Sequence, residues 1–183
     1  GSIYAAARLD WSTTELGLFG IIILLFGAPG CLLGGWVDGI IGPKRSLYFS
    51  VGGLFFTTLA ILSVGDGHVL FVVPVGFPTP DDGLFASHAE HFMVAMAVLL
   101  GVFAGPSQAA SRTLLARIAP RAEMGKYFGL FALSGKATSF LAPLAIGFAI
   151  APLGDRLAYG VILVFLGVGL ALLAGVREER EPD

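Results

Sequence analysis

The stretch SRTLLARIAPRAEMGKYFGLFALSGKATSFLAPLAIGFAIAP, residues 111–152, decides how this chain folds. Its first part is basic and carries Arg112, Arg117, Arg121 and Lys126. The part that follows is apolar and long enough to cross a bilayer. Its one charge between Tyr127 and Gly154 is Lys136. At a rise of about 1.5 Å per residue, Lys136 lies about 15 Å beyond Lys126, near the middle of a hydrocarbon core about 30 Å thick.

A lysine at that depth indicates a functional position. Burying it in lipid costs about 2.5–3.5 kcal/mol, so such a side chain normally faces a protein interior or a wet cavity. Its helical face holds small and polar residues, namely Gly129, Ala132, Ser139 and Pro143. Lys136 could bind a carboxylate ligand or alternate between partners in two conformations of the protein. The alternative is a structural ion pair or a contact with backbone carbonyls.

Composition supports a membrane protein. Hydrophobic residues make up 56% and charged residues 13% of the chain, against about 25% charged residues in soluble domains. This excludes an ordinary soluble domain and a disordered chain. The net charge of −2 argues against a nucleic-acid partner. The single cysteine, Cys31, offers no disulfide framework or thiolate metal site, and no catalytic constellation is present, so we expect no enzyme, cofactor or metal.

Five apolar runs predict an all-α membrane protein with transmembrane helices over 16–37, 47–65, 92–111, 127–151 and 157–176. We expect one transmembrane domain over 1–183, as a piece of a longer protein. Residues 1–14 are interpreted as the end of a preceding helix and a polar connection, in which Trp11 lies at the membrane interface. Ser12, Thr13 or Thr14 could cap the next helix, and Gly30 and Gly34 form a GxxxG spacing that predicts close helix packing.

The distribution of Lys and Arg predicts the orientation. The turn at 38–46, the basic stretch at 112–126 and the tail at 177–183 carry two, four and two of them, which makes eight, against Arg8 and Arg156 on the other side. The positive-inside rule therefore places the turn, the basic stretch and the C-terminus in the cytoplasm. The basic residues anchor lipid phosphates and set topology, or they form ion pairs between helices that hold one conformation closed.

Residues 66–91 are predicted to form an extracytoplasmic loop, with Val69 to Phe77 as a strand-like or interfacial segment. His88, Glu90 and His91 raise the question of a metal, but their spacing is not that of a helical i, i+4 pair. A solvated acidic loop is the preferred interpretation.

The third apolar run carries a second set of candidate residues. Gly105 and Pro106 predict a kink that frees backbone groups. Ser107 and Gln108 follow near its cytoplasmic end. They line a gate or cavity, or they serve helix packing.

The segment GGWVDGIIGPKRSL, residues 34–47, resembles the signature loop of the major facilitator superfamily, G-x-x-x-D-R-x-G-R-K. The matching positions are Gly35, Gly42, Lys44 and Arg45. The acidic position of the motif falls on Gly39 and its arginine on Ile40, and Asp38 lies one residue early.

Residues 111–147 resemble, more specifically, the branch of that superfamily that includes fungal vacuolar amino-acid effluxers and their bacterial relatives. The matching elements are Ser111-Arg112, Ala116-Arg117, Pro120, Phe128-Gly129-Leu130, Ser134-Gly135-Lys136, Ser139 and Pro143. The resemblance implies that the five predicted crossings are helices eight to twelve, the end of the C-terminal half.

The resemblance implies a secondary transporter for a small solute, with amino acids as the suggested class and H+ or Na+ as coupling ion. We expect substrate or coupling roles for Lys136, Ser139, Gln108 and Ser107. Gating roles are expected for Gly35, Asp38, Gly42, Lys44, Arg45, Arg112 and Arg117, and helix kinks at Gly105, Pro106 and Pro143. Membrane lipid and an N-terminal half of the same protein are the expected partners, in a bacterial inner membrane. The alternative is a non-transporting accessory protein of the same fold.

Overall fold

The computed structural model of the chain describes residues 2–65, 67–71, 73–76 and 83–176. It is built from the helices α1 Ser2–Leu9, α2 Thr13–Ile41, α3 Pro43–Leu62, α4 His88–Ile118, α5 Met124–Ser139 and α6 Leu141–Gly175. Four segments of the described residues are long and apolar enough to cross a membrane, namely Thr13–Ile41, Pro43–Leu62, His88–Ile118 and Ala158–Gly175. The predicted all-α membrane fold is confirmed.

α4 is the centre of the bundle, because both α2 and α3 pack along it while α6 packs on the outside of α3. Along the contact between α2 and α4, residue numbers increase in the same direction in both helices: Gly27 lies near Gly101, Cys31 near Gly105 and Gly34 near Pro106. The two helices therefore run parallel, and α3 returns in the opposite direction along α4. The first residues of α2 and α4 consequently share one end of the bundle.

The seam between α2 and α4 depends on glycine. A Cβ atom built on Gly30 would lie 2.7 Å from the carbonyl oxygen of Val102, and one on Gly34 would lie 3.0 Å from the Cα of Pro106, with the proline ring closer still. A Cβ on Gly105 would meet the carbonyl oxygen of Gly27 at 2.8 Å. Small residues let helix backbones approach closely in lipid, where packing rather than the hydrophobic effect drives association. The GxxxG spacing thus marks a real contact face.

Two further glycines turn the chain between helices. Gly42, with φ 85° and ψ 160°, is the single residue between α2 and α3, and Pro43 opens α3 at a position that needs no N–H donor. Gly154, with φ 73° and ψ 167°, breaks α6 between the predicted crossings 127–151 and 157–176. Other residues rarely adopt this region of backbone conformation, so both turns require glycine.

The helices extend beyond the apolar runs that predict them. α2 and α4 continue through polar residues at both ends, and the basic stretch predicted as a connection from residue 112 is helical up to Ile118. The predicted crossing 127–151 is helical on both sides of Phe140. The interruption lies just before Pro143, which cannot donate to the carbonyl of Ser139 and whose ring crowds that turn.

The chain between α3 and α4 folds back over one end of the bundle. Strands β1 His68–Val69 and β2 Val73–Pro74 pair as a small antiparallel hairpin, which begins one residue before the segment 69–77 predicted as strand-like or interfacial. Val64 and Val69 are buried in the core there, with Tyr4, Phe19 and Met93. Asp66, Asp81, Asp82 and the tail 177–183 lie outside the described residues.

The seam makes a prediction for two adjacent glycines. Gly34→Ala pushes a methyl group into the rigid ring of Pro106, which costs about 1–3 kcal/mol of stability by overpacking. Gly35→Ala places its methyl group in open space, so it is neutral or stabilises the helix by up to about 1 kcal/mol. Thermal unfolding of the full-length protein in detergent measures both. Equal unfolding midpoints for the two variants would contradict the seam.

Candidate functional site

α5 carries the predicted substrate residues on a face that the rest of the described chain leaves open. The helix touches the bundle through the half-buried side chains of Met124, Phe128 and Phe131. At about 100° per residue, Lys136 lies about 110° around the helix from the middle of that contact face. Lys136 and Ser139 are both exposed. Gly129 and Ala132 of the predicted small-residue face are exposed as well, whereas Pro143 lies beyond the break at Phe140, in α6.

The polar groups of this face have few protein partners. Ser139 Oγ donates to the carbonyl oxygen of Lys136 at 2.8 Å, which satisfies its hydroxyl hydrogen locally. In the described part of the chain, the Lys136 ammonium has no hydrogen-bond or ion-pair partner. A Cβ atom added to Gly129 or Gly125, about two and three turns before Lys136 on the same face, would meet no atom within 4 Å. The face can thus admit another group close to the α5 backbone.

The candidate residues on α4 differ in their burial: some pack against α2, and one is exposed. Pro106 is buried against Gly34, and Gly105 lies against α2. The half-buried Ser107 donates to the carbonyl oxygen of Ala104 at 2.7 Å, whereas Gln108 is exposed. Among the described residues neither Ser107 nor Gln108 is bonded to Lys136. The structure therefore gives the Gly105-Pro106 pair a packing role and leaves the role of Gln108 a prediction.

The signature-like loop forms the turn at the other end of α2. Lys44 Nζ donates to the carbonyl oxygens of Ala174, at 3.5 Å, and Val176, at 2.5 Å. The lysine therefore satisfies carbonyls that the end of α6 leaves without helical partners, and its charge suits the negative end of the helix dipole. This contact joins residues 130 or more positions apart in sequence. Gly35 and Arg45 of the same loop are exposed.

Asp38 sits half-buried next to this turn. One of its carboxylate oxygens, Oδ1, and the hydroxyl of Ser46 are buried without a hydrogen-bond partner among the described residues. Because Asp38 is one turn after Gly34 on the same helix, it faces the α4 side of α2. A buried oxygen of this kind requires a donor, such as a water molecule.

The remaining basic residues form no network in the described part of the chain. Arg112, Arg117 and Arg121 are exposed. Lys126 pairs with Glu123 at 3.0 Å, one turn away and in solvent. An exposed pair of this kind contributes at most about 1 kcal/mol. The gating roles of Arg112 and Arg117 therefore stay predictions.

The interpretation of Glu90 as part of a solvated acidic loop is wrong. Its side chain is 1% exposed. Oε1 accepts a hydrogen bond of 2.9 Å from the indole Nε1–H of Trp11, and Oε2 accepts one of 2.9 Å from the backbone N–H of Ser87. The second bond belongs to a capping box, in which Ser87 Oγ accepts from the backbone N–H of Glu90. A capped helix start buried under an aromatic ring is the reason that solvent does not reach the carboxylate.

Trp11 is likewise buried rather than lying freely at the interface. It is 6% exposed, and its ring meets those of Phe19 and Phe85 edge-on, each with centroids 5.3 Å apart. The Trp11–Glu90 bond therefore ties the connection before α2 to the start of α4. His88 and His91 stay exposed, with ring centroids 6.3 Å apart. In the described ranges no group of three His, Cys, Asp or Glu residues is placed to hold a metal.

The two capping boxes provide a matched test of the Trp11–Glu90 bond. Glu90→Ala leaves the buried N–H groups of Trp11 and Ser87 without acceptors, at a cost of about 2–4 kcal/mol. Glu15→Ala removes the same residue of the α2 capping box, whose partners are exposed, and costs about 0.5–1 kcal/mol. Unfolding midpoints of the full-length protein compare the two. An equal loss for both variants would show that Glu90 acts only as a cap.

Comparison with known proteins agrees with this architecture. The family model described as vacuole effluxer Atg22 like matches residues 1–182. Autophagy-related protein 22 of Cryptococcus neoformans is 29% identical over an alignment of 185 residues, which covers 97% of this chain and 30% of that protein. The uncharacterized MFS-type transporter YxiO of Bacillus subtilis is 30% identical over 185 residues, covering 100% of this chain and 39% of that protein. No solved structure matches.

The chain thus spans 30–39% of the length of these relatives, and the family match extends over almost every residue of it. The resemblance to the effluxer branch of the major facilitator superfamily is confirmed: the chain belongs to the Atg22-like vacuole effluxer family.

Proposed function

We propose that this chain is part of a secondary transporter that moves a small solute across a membrane by alternating access. The observation that carries the proposal is the open face of α5, which presents the Lys136 ammonium and the Ser139 hydroxyl between glycine and alanine residues. A charged group in the middle of an apolar crossing requires a polar environment, which a solute path supplies. Membership of the Atg22-like family and the similarity to an MFS-type transporter support it.

In this proposal the five predicted crossings are helices eight to twelve, and the wall opposite α5 comes from an N-terminal half of the same protein. Transporters of this type hold their substrate near the midplane, between two repeats that rock against each other. The position of Lys136, about 15 Å beyond the basic stretch, fits that depth. The chain alone is therefore not expected to transport.

The chemistry of the face favours a solute with a carboxylate. An ammonium group binds a carboxylate through a charge-assisted hydrogen bond, which is stronger than a neutral one. Amino acids meet this requirement, and membership of a vacuole effluxer family suits small solutes of this kind. Gln108 and Ser107 would line the cytoplasmic part of the path. Coupling to H+ or Na+ completes the proposed cycle.

The proposed location is the cell membrane of a bacterium, with the C-terminus in the cytoplasm. The similarity to the Bacillus subtilis protein supports a bacterial setting. Because Lys44 binds the end of α6, the α2–α3 turn and the C-terminal end of the last helix lie at the same end of the bundle. Together with the positive-inside rule, this grouping supports a cytoplasmic position for both.

A second candidate function is a non-transporting accessory membrane protein. The altered signature loop favours it, since Gly39 and Ile40 occupy the motif's acidic and arginine positions. Lys44 of that loop is also engaged in capping α6. An uptake and efflux assay on the full-length protein in vesicles, with a panel of amino acids, separates the two functions. Vesicles that move no solute in either direction would favour the accessory role.

The transport proposal predicts that the positive charge of Lys136, near the middle of the membrane, is required for transport. Lys136→Gln keeps a polar side chain but loses the charge, and a charge-assisted bond contributes about 1.5–3 kcal/mol. The initial transport rate at low substrate concentration should fall about 10- to 100-fold. Lys126→Gln, ten residues earlier on the same helix, removes an exposed lysine paired with Glu123 and should leave the rate unchanged.

The comparison uses full-length protein in vesicles, and each transport rate is divided by the amount of the variant that the vesicles contain. Equal transport rates for Lys136→Gln and the unmodified protein would remove Lys136 from the substrate path.

A further inference from the structure

A cleft opens between α2 and α3 at the end of the bundle that holds the Gly42 turn. Both helices pack on α4 and touch each other much less, so they enclose a cavity of about 200 Å³ above the turn. Its floor is formed by Val102, Phe103 and Pro106 of α4. The surface of this cavity is apolar.

The rim of the cleft faces outward from the bundle. Leu33 and Trp36 of α2 are 56% and 68% exposed, and Phe49 of α3 is 62% exposed. In helices that cross a membrane, apolar side chains exposed in this way contact lipid. The cleft is therefore open from the side in the described part of the chain.

The indole of Trp36 marks a polar level on this rim. Trp36 lies six residues before Gly42, or about 9 Å along α2 from the turn. Its Nε1–H has no hydrogen-bond partner among the described residues. Indole rings prefer the level where the acyl chains of lipids meet their headgroups, because ester and phosphate oxygens accept the N–H bond there.

Arg45 supplies a positive charge at the entrance. It precedes Phe49 by four residues, so both lie on one face of α3, about 6 Å apart along its axis. Arg45 is exposed, and in the described part of the chain its guanidinium forms no hydrogen bond or ion pair. Lys44, its neighbour, is held by the carbonyls at the end of α6. Asp38 faces α4 and not this rim, so Arg45 is the charge that a ligand in the cleft meets.

We propose that the cleft between α2 and α3 binds an anionic phospholipid, with one acyl chain in the cavity and the headgroup phosphate on Arg45. The apolar wall takes the chain, Trp36 donates to an ester oxygen, and Arg45 forms a bidentate contact with the phosphate. Basic residues beside a gap between membrane helices recognise anionic headgroups in this way. The site is separate from the α5 face and does not depend on the proposed transport function.

The site can be tested by cross-linking from within it. Phe49→p-benzoylphenylalanine places a photoreactive ring on the exposed rim of the cleft in the full-length protein. The protein is reconstituted in vesicles of equal amounts of phosphatidylcholine and phosphatidylglycerol, irradiated, and analysed by mass spectrometry. Both lipids carry a phosphate, but choline cancels its charge in phosphatidylcholine. One arginine facing a net anionic headgroup contributes about 1 kcal/mol, which predicts about fivefold more cross-linked phosphatidylglycerol than phosphatidylcholine.

Two arginine variants distinguish a site from general attraction to the membrane surface. Arg45→Gln should bring the cross-linked lipids back to the composition of the vesicle. Arg121→Gln, which removes an equally exposed arginine of the basic stretch, should keep the fivefold preference. Equal labelling of both lipids in the unmodified background, or cross-links to another protein segment, would overturn the proposal.

A second measurement does not need the photoreactive residue. A ligand that binds only the folded state raises the unfolding temperature. Added phosphatidylglycerol should therefore raise the unfolding temperature of the detergent-solubilised protein. The increase should be the same for the unmodified protein and Arg121→Gln, and smaller for Arg45→Gln. The same stabilisation in all three would contradict a phosphate site at Arg45.

Discussion

The close approach of α2 and α4 is the constraint on which the rest of the structure depends. With glycine at the contact points, the two backbones come so near that a single added methyl group at Gly30 or Gly34 would collide with α4. Inside lipid this close packing replaces the hydrophobic driving force that holds soluble helices together. It also sets the two helices parallel, which fixes the return path of α3 and the side on which each connection lies.

Each end of the bundle is then secured by one polar contact between distant segments. At one end Trp11 donates to the buried carboxylate of Glu90, and at the other Lys44 caps the carbonyls of α6. Lys44 satisfies carbonyls at the end of α6, and the second carboxylate oxygen of Glu90 accepts from the backbone N–H of Ser87 at the start of α4. α5 takes part in neither contact, and it touches the bundle through few side chains. Its small polar face with Lys136 is therefore free for another partner, which we propose to be a solute.

The sequence predicts the membrane helices and the glycine contact face well, because apolar runs and small-residue spacing are local signals. It does not predict which helix the GxxxG face meets, since that depends on residues about 70 positions away. The charge of its segment alone does not indicate that Glu90 is buried. The same S-x-x-E pattern occurs at Ser12–Glu15 and at Ser87–Glu90, so the cap could have been predicted. The burial of Glu90 could not be predicted in this way, because it depends on Trp11, which is 79 residues away.

Transport along the Lys136 face of α5 requires that this face lines an aqueous path. Ser139→Cys lies on that face, and Leu130→Cys lies about half a turn around the same helix; both are exposed. In the full-length protein with Cys31→Ser, the reaction rate with a membrane-impermeant thiol reagent measures access of water. The account predicts fast labelling at position 139, slowed by a transported solute, and little at position 130. Labelling at position 139 that is no faster than at position 130 would contradict it.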